Sequence, residues 1–118
     1  MFRCSTIEKI DFTSFNNINV ANMKGMFSDR SSLKKLDLTS FNTQNVNNMS
    51  QMFNGCYSLK KLNLSSFNTN NVTNMNDMFG QCRGLTKLNL SNFTVKEGTD
   101  MEDMFLGCPD ELHRKIKI

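Results

Sequence analysis

Twenty-six residues separate Phe15 from Phe41, Phe41 from Phe67 and Phe67 from Phe93. The same interval relates Met23, Met49, Met75 and Met101, and the pairs Met26-Phe27, Met52-Phe53, Met78-Phe79 and Met104-Phe105. Ile10, Leu36, Leu62 and Leu88 hold it, as do Phe12, Leu38, Leu64 and Leu90. Cys56, Cys82 and Cys108 keep it too, with Arg30 at the corresponding place one interval earlier and Cys4 one before that. A fixed period of this length is the signature of stacked supersecondary units, none of which buries its apolar face alone. The 118 residues hold about four and a half units, read near 7–32, 33–58, 59–84 and 85–111, with a partial strand at 112–118. They form a single repeat domain. Because the chain starts and stops inside a unit, the expectation is a piece of a longer array.

One copy reads L-x-x-L-x-L-x-x-F-N-T-x-N-V-x-N-M-x-x-M-F-x-x-C. In Leu59-x-x-Leu62-x-Leu64, Leu62 and Leu64 alternate with Lys61, Asn63 and Ser65, the period of a strand with one buried face. Strands are predicted at 7–13, 33–39, 59–65, 85–91 and 112–118. Val72, Met75, Met78-Phe79 and Cys82 step by three or four, which predicts a short helix preceded by Thr69, Asn70 and Asn71 as cap or turn residues. Asn74 and Asn76 inside it argue for a short, partly irregular one. The predicted fold is an α/β repeat solenoid, a right-handed stack of strand-plus-short-helix units whose strands make a parallel sheet.

The 26-residue unit, above all its F-N-T/N-V-x-N-M/M-F run, resembles the repeat of the BspA-like leucine-rich repeat family of bacterial surface proteins, which also occurs in mycoplasma surface lipoproteins. The resemblance covers essentially the whole chain. It implies a leucine-rich-repeat-like fold, a cell-surface or extracellular setting, and a role in adhesion or protein binding, with no catalytic residue to carry over. Cys4 has no apolar segment before it and is not expected to carry a lipid. Surface placement therefore rests on the resemblance.

Most of the repeated positions read as structure. The Phe and Met ladders have core spacing. Cysteines at one phase stand at strand spacing, within reach of a disulfide, yet three in line cannot all pair. Small buried thiols are therefore the favoured reading over a Cys56–Cys82 or Cys82–Cys108 bond. Asn16, Asn42 and Asn68, and then Asn22, Asn48, Asn74 and Asp100, read as ladders that satisfy turn backbone. With no Cys pair at metal spacing and His113 the only histidine, neither a metal nor a cofactor is expected. No nucleophile, base and acid are set at a common phase, so catalysis is not expected.

The lysines stand apart. Lys9, Lys35, Lys61 and Lys87 share one phase opposite the buried leucines, with Lys34 and Lys60 beside them and Lys115 continuing the row. Like charges stacked at strand spacing repel. They serve either to bind an anionic polymer, such as an acidic glycan or nucleic acid, or to keep an exposed sheet soluble; the partner expected for this face is a host or neighbouring-cell protein or an acidic glycan. No aromatic alternates with them, so specific nucleic-acid readout is not supported. The alternative to a binding scaffold is a spacer or antigenically variable module with no ligand site. Self-association through uncapped ends is a further possibility. No stretch is apolar for long enough to insert in a membrane.

Overall fold

A computed structural model describes residues 8–11 and 20–116. Four short strands, β1 (Lys9–Asp11), β2 (Lys35–Asp37), β3 (Lys61–Asn63) and β4 (Lys87–Asn89), are followed by one helix, α1 (Asp110–Lys115). β1 pairs with β2 and β3 with β4, both parallel, and every register partner lies 26 residues away: Lys9 opposite Lys35, Lys61 opposite Lys87. β2, β3 and β4 are each shorter than their apolar alternation because a turn closes them. The side chain of Asp37, Asn63 or Asn89 accepts a hydrogen bond from the backbone N–H two residues on, at 2.9–3.0 Å, which bends the chain out of the strand. The strands form two two-stranded sheets rather than one, since β3 lies beside β2 with no ladder between them.

The second half of each unit is built from turns, not the predicted helix. N–H groups at alternate residues leave the unit altogether: those of Met75, Asp77, Phe79 and Gln81 donate to the carbonyls of Asp100, Glu102, Met104 and Leu106. The intervening N–H groups of Met78, Gly80 and Cys82 close three-residue turns on Met75, Asp77 and Phe79. A helix would send every N–H four residues back along its own chain. Left-handed backbone at Gln51, Asp77, Gln81 and Asp103 (φ 54–60°) forbids that regularity. Isolated parallel bridges join Asn22 to Asn48, Asn48 to Asn74 and Asn74 to Asp100, so this side is continuous where the strand side is split.

Between the two sides lies the core. Phe27, Phe53, Phe79 and Phe105 stack ring on ring with centroids 5.5–5.7 Å apart. Phe41 and Phe67 make a second stack at 6.3 Å. Met23, Met49 and Met75 are buried beside them, whereas Met101, Phe93 and Phe105, in the last unit, are half-buried. Phe15 falls outside the described residues.

Of the segment expected to form a fifth strand at 112–118, residues 112–115 belong to α1, and residues 117–118 lie outside the described residues. Pro109 precedes the helix, Asp110 and Glu111 occupy its first turn and His113, Arg114 and Lys115 its last, the charge order that complements the helix dipole. Glu111 and Lys115 add an ion pair at 2.8 Å across one turn. Leu112 is driven into the core.

Candidate binding face

The Asn-rich composition resolves into three sets of local turns. Besides the set that ends the strands, the side chains of Asn42 and Asn68 cap the N–H groups of Gln44 and Asn70. Those of Asn22, Asn48, Asn74 and Asp100 cap Lys24, Ser50, Asn76 and Glu102, all at 2.9–3.0 Å. A short amide or carboxylate that reaches its own backbone two residues ahead fixes each bend without burying an unpaired polar group. Thr43 and Thr69 tie neighbouring units: each hydroxyl donates to a carbonyl of the next unit (Asn68 at 2.9 Å, Thr94 at 3.0 Å) and accepts that unit's N–H.

Cys56, Cys82 and Cys108 are buried free thiols. Their Sγ atoms donate to the carbonyls of Phe27, Phe53 and Phe79 at 3.1–3.3 Å, so the cysteine ladder fastens each unit to the one before it. Burial pushes the Cys56 thiol up to about 12 and the Cys108 thiol to about 11, and raises Cys82 as well. Thiols held protonated in this way are poor nucleophiles and poor metal ligands. Arg30, at the corresponding place in the first described unit, is buried. Among the described residues, no three His, Cys, Asp or Glu side chains are placed to hold a metal ion.

The lysines lie on the strand face. A groove of about 1050 Å³ runs from β2 across β3 and β4 to α1, bordered by Lys34, Lys35, Lys61, Lys87 and Lys115, with Asp37 the only carboxylate in its lining. Leu36, Leu88, Leu90 and Ile116, all half-buried, supply apolar surface to it. Two of the five cations are already engaged. Lys34 pairs with Glu8 at 2.8 Å, which holds the Glu8 carboxyl below its usual range through a hydrogen bond and charge, and Lys115 pairs with Glu111. Both pairs are largely solvent-exposed and contribute little to stability.

Lys35, Lys61 and Lys87 are exposed and take part in no ion pair among the described residues. Asp37, two residues from Lys35, is committed to the Thr39 N–H and hydroxyl at 3.0 and 2.7 Å. Lys60 is exposed but does not line the groove, and Lys9 enters only through its backbone register with Lys35. Of the six lysines singled out from the sequence, the structure thus gathers Lys34, Lys35, Lys61 and Lys87. Lys115 joins them from a helix rather than a strand.

Among the described residues no helix is long and apolar enough to cross a membrane. No curated protein and no solved structure matches the chain. A family model matches it from residue 1 to residue 117, and the chain belongs to that family, described as Mycoplasma protein of unknown function, DUF285.

Proposed function

We propose that this chain is a non-catalytic scaffold, a right-handed solenoid of leucine-rich-repeat type and BspA-like character, displayed at the cell surface, where its outward strand face adheres to an acidic glycan. The observation that carries the reading is the line of Lys35, Lys61 and Lys87, which border the groove and take part in no ion pair among the described residues. In-register stacking of Lys61 on Lys87 costs stability unless something negative lies across it. A polymer with a charge on each residue meets such a periodic row at several points, and the weak single contacts add. The half-buried leucines of the groove give sugar faces an apolar surface to rest on. His113, the only histidine, packs edge-on against Phe105.

The test is retention on an immobilised sulfated polysaccharide through a salt gradient, with wild type compared to a variant carrying Lys35→Ser, Lys61→Ser and Lys87→Ser. Retention of wild type at physiological salt, lost in a variant that unfolds at the same or a higher temperature, supports the reading. A wild type that passes straight through refutes it, and the spacer or antigenic module then becomes the better account.

A further inference from the structure

We infer that Asn63 and Asn89 join Lys61 and Lys87 in an array of donors that takes the acidic groups of the glycan, and that these groups are sulfate esters rather than carboxylates. The inference rests on the glycan reading above and narrows it to one part of the strand face. In β3 and β4 the outward positions are a lysine and, two residues on, an asparagine. The parallel register sets Lys61 opposite Lys87 and Asn63 opposite Asn89. All four are exposed and border the groove, and Asn63 and Asn89 are the only asparagines in its lining. Two residues along a strand span about 6.5 Å and neighbouring strands stand ~4.8 Å apart, so the four donors form a small rectangle.

The amides are oriented by the turns that end the strands. Oδ1 of Asn63 accepts the Ser65 N–H at 2.9 Å and Oδ1 of Asn89 the Ser91 N–H at 3.0 Å, which fixes each amide and leaves its Nδ2 with no acceptor among the described residues. Away from the groove such groups are used within the fold: Nδ2 of Asn71 donates to the Gln44 carbonyl at 2.7 Å, and that of Asn92 to the Ser65 carbonyl. Two ammonium and two amide donors on adjacent strands suit an acceptor with several free oxygens. A sulfate ester has three, splayed as a pyramid that reaches both strands at once, whereas a carboxylate has two in one plane. β2 carries the opposite pattern. Asp37 stands where β3 and β4 have asparagine, so the charge of Lys35 is offset on its own strand, and Lys34 is paired with Glu8. The anionic groups are therefore held over β3 and β4, and Lys35 contributes less than Lys61 or Lys87.

Binding of soluble dextran sulfate over a salt series, beside carboxymethyl dextran of equal charge density, tests the array. Wild type is expected to bind the sulfated polymer the more tightly. Asn63→Ser with Asn89→Ser removes both amides at no change of charge, and a serine hydroxyl closes the same bend, if more weakly. This variant is expected to bind dextran sulfate roughly tenfold more weakly, the loss of two exposed hydrogen bonds to a charged group. Its slope of log affinity against log salt should match wild type, because that slope counts charges, whereas Lys61→Ser should lower it. Asp37→Asn gives β2 the pair that β3 and β4 carry, and Asn48 shows an asparagine accepting both an N–H and a hydroxyl in such a turn. It is expected to bind more tightly than wild type and than Asp37→Ser, which removes the charge without supplying an amide; these two variants decide the matter should the double serine variant unfold. A wild type that binds neither polymer refutes the glycan reading itself. Binding that the Lys35, Lys61 and Lys87 serine variant abolishes but Asn63→Ser/Asn89→Ser leaves unchanged overturns the array alone, as does equal or greater affinity for carboxymethyl dextran, or Asp37→Ser binding as tightly as Asp37→Asn.

Discussion

Phe79→Ala should cost far more than Phe105→Ala, although both remove one ring from the same stack. The Phe79 ring is fully buried, 5.6 Å from Phe53 and 5.5 Å from Phe105, with interplanar angles of 3° and 7°. Its loss leaves a closed cavity between two rings that backbone bonds hold apart, since the Phe79 N–H and carbonyl remain tied to Met104 and Cys108. Phe-to-Ala changes in such sites cost about 3–5 kcal/mol, part of it the offset stacking worth ~0.5–1.5 kcal/mol per pair. Phe105 has a stacked ring on one side only and is half-buried, so roughly half that loss, about 1.5–2.5 kcal/mol, is expected. Against a total stability of about 5–15 kcal/mol, the first change removes a large share and the second a modest one.

Urea unfolding at low protein concentration measures both, and Tyr57, the chain's single tyrosine, adds a local probe in the second unit. In Phe79→Ala the tyrosine transition should separate from the circular-dichroism transition, because contact between the units before and after the cavity is weakened. Equal losses in the two variants, or a loss below about 1 kcal/mol for Phe79→Ala, would refute the idea that the ring stack couples the units.

Two further changes test the polar side of the repeat. Asn48→Ala deletes an acceptor used by both the Ser50 N–H (2.9 Å) and its hydroxyl (2.7 Å), and at ~0.5–1.5 kcal/mol per bond should cost about 1–3 kcal/mol in thermal or urea unfolding. Asn48→Asp should stay within ~0.5 kcal/mol of wild type, because Asp100 already makes the same turn in the last unit; equal losses from the two would exclude the turn as the cause. The buried thiols predict an alkaline limit. Their folded values lie above the ordinary value of 9.0, so the stability they confer is complete below about pH 9. It is lost as pH rises through about 11 to 12. The difference in urea midpoint between wild type and Cys56→Ala, followed from pH 8 upward, should be flat at first and shrink only beyond pH 9, and a difference that already shrinks at pH 8 would contradict the raised thiol.

What repeats in this chain was legible because a fixed phase needs no knowledge of conformation: residues 26 apart are neighbours whether the path between them is helix or turn. Lys61 against Lys87 and the Phe53–Phe79 stack follow from that alone. The path itself was not legible in the turn half. Val72, Met75, Met78 and Cys82 bury one side chain every three or four residues, a stride that helix and successive turns share. The choice between them is made by where the N–H groups of Met75, Asp77, Phe79 and Gln81 go. Asp77 and Gln81 adopt left-handed backbone without a glycine to announce it. At Leu112 and Ile116 the apolar alternation suggests a strand, but Asp110 and Glu111 in the first turn and His113, Arg114 and Lys115 in the last favour the helix. Nothing distinguishes Lys-Leu-Asp in β2 from Lys-Leu-Asn in β3 strongly enough to foretell the missing ladder between them.

The places where the repeat departs from itself carry a different kind of information. A side chain that faces its own copies on both sides is selected by them, so the ladders describe the fold. Lys24 and Glu102, or Val95 and Leu106, sit in repeated positions but among the described residues meet a neighbouring copy on one side only, so the repeat constrains them less. In a molecule made of near-identical units, contacts with a partner are therefore to be sought first where one unit ceases to match the others.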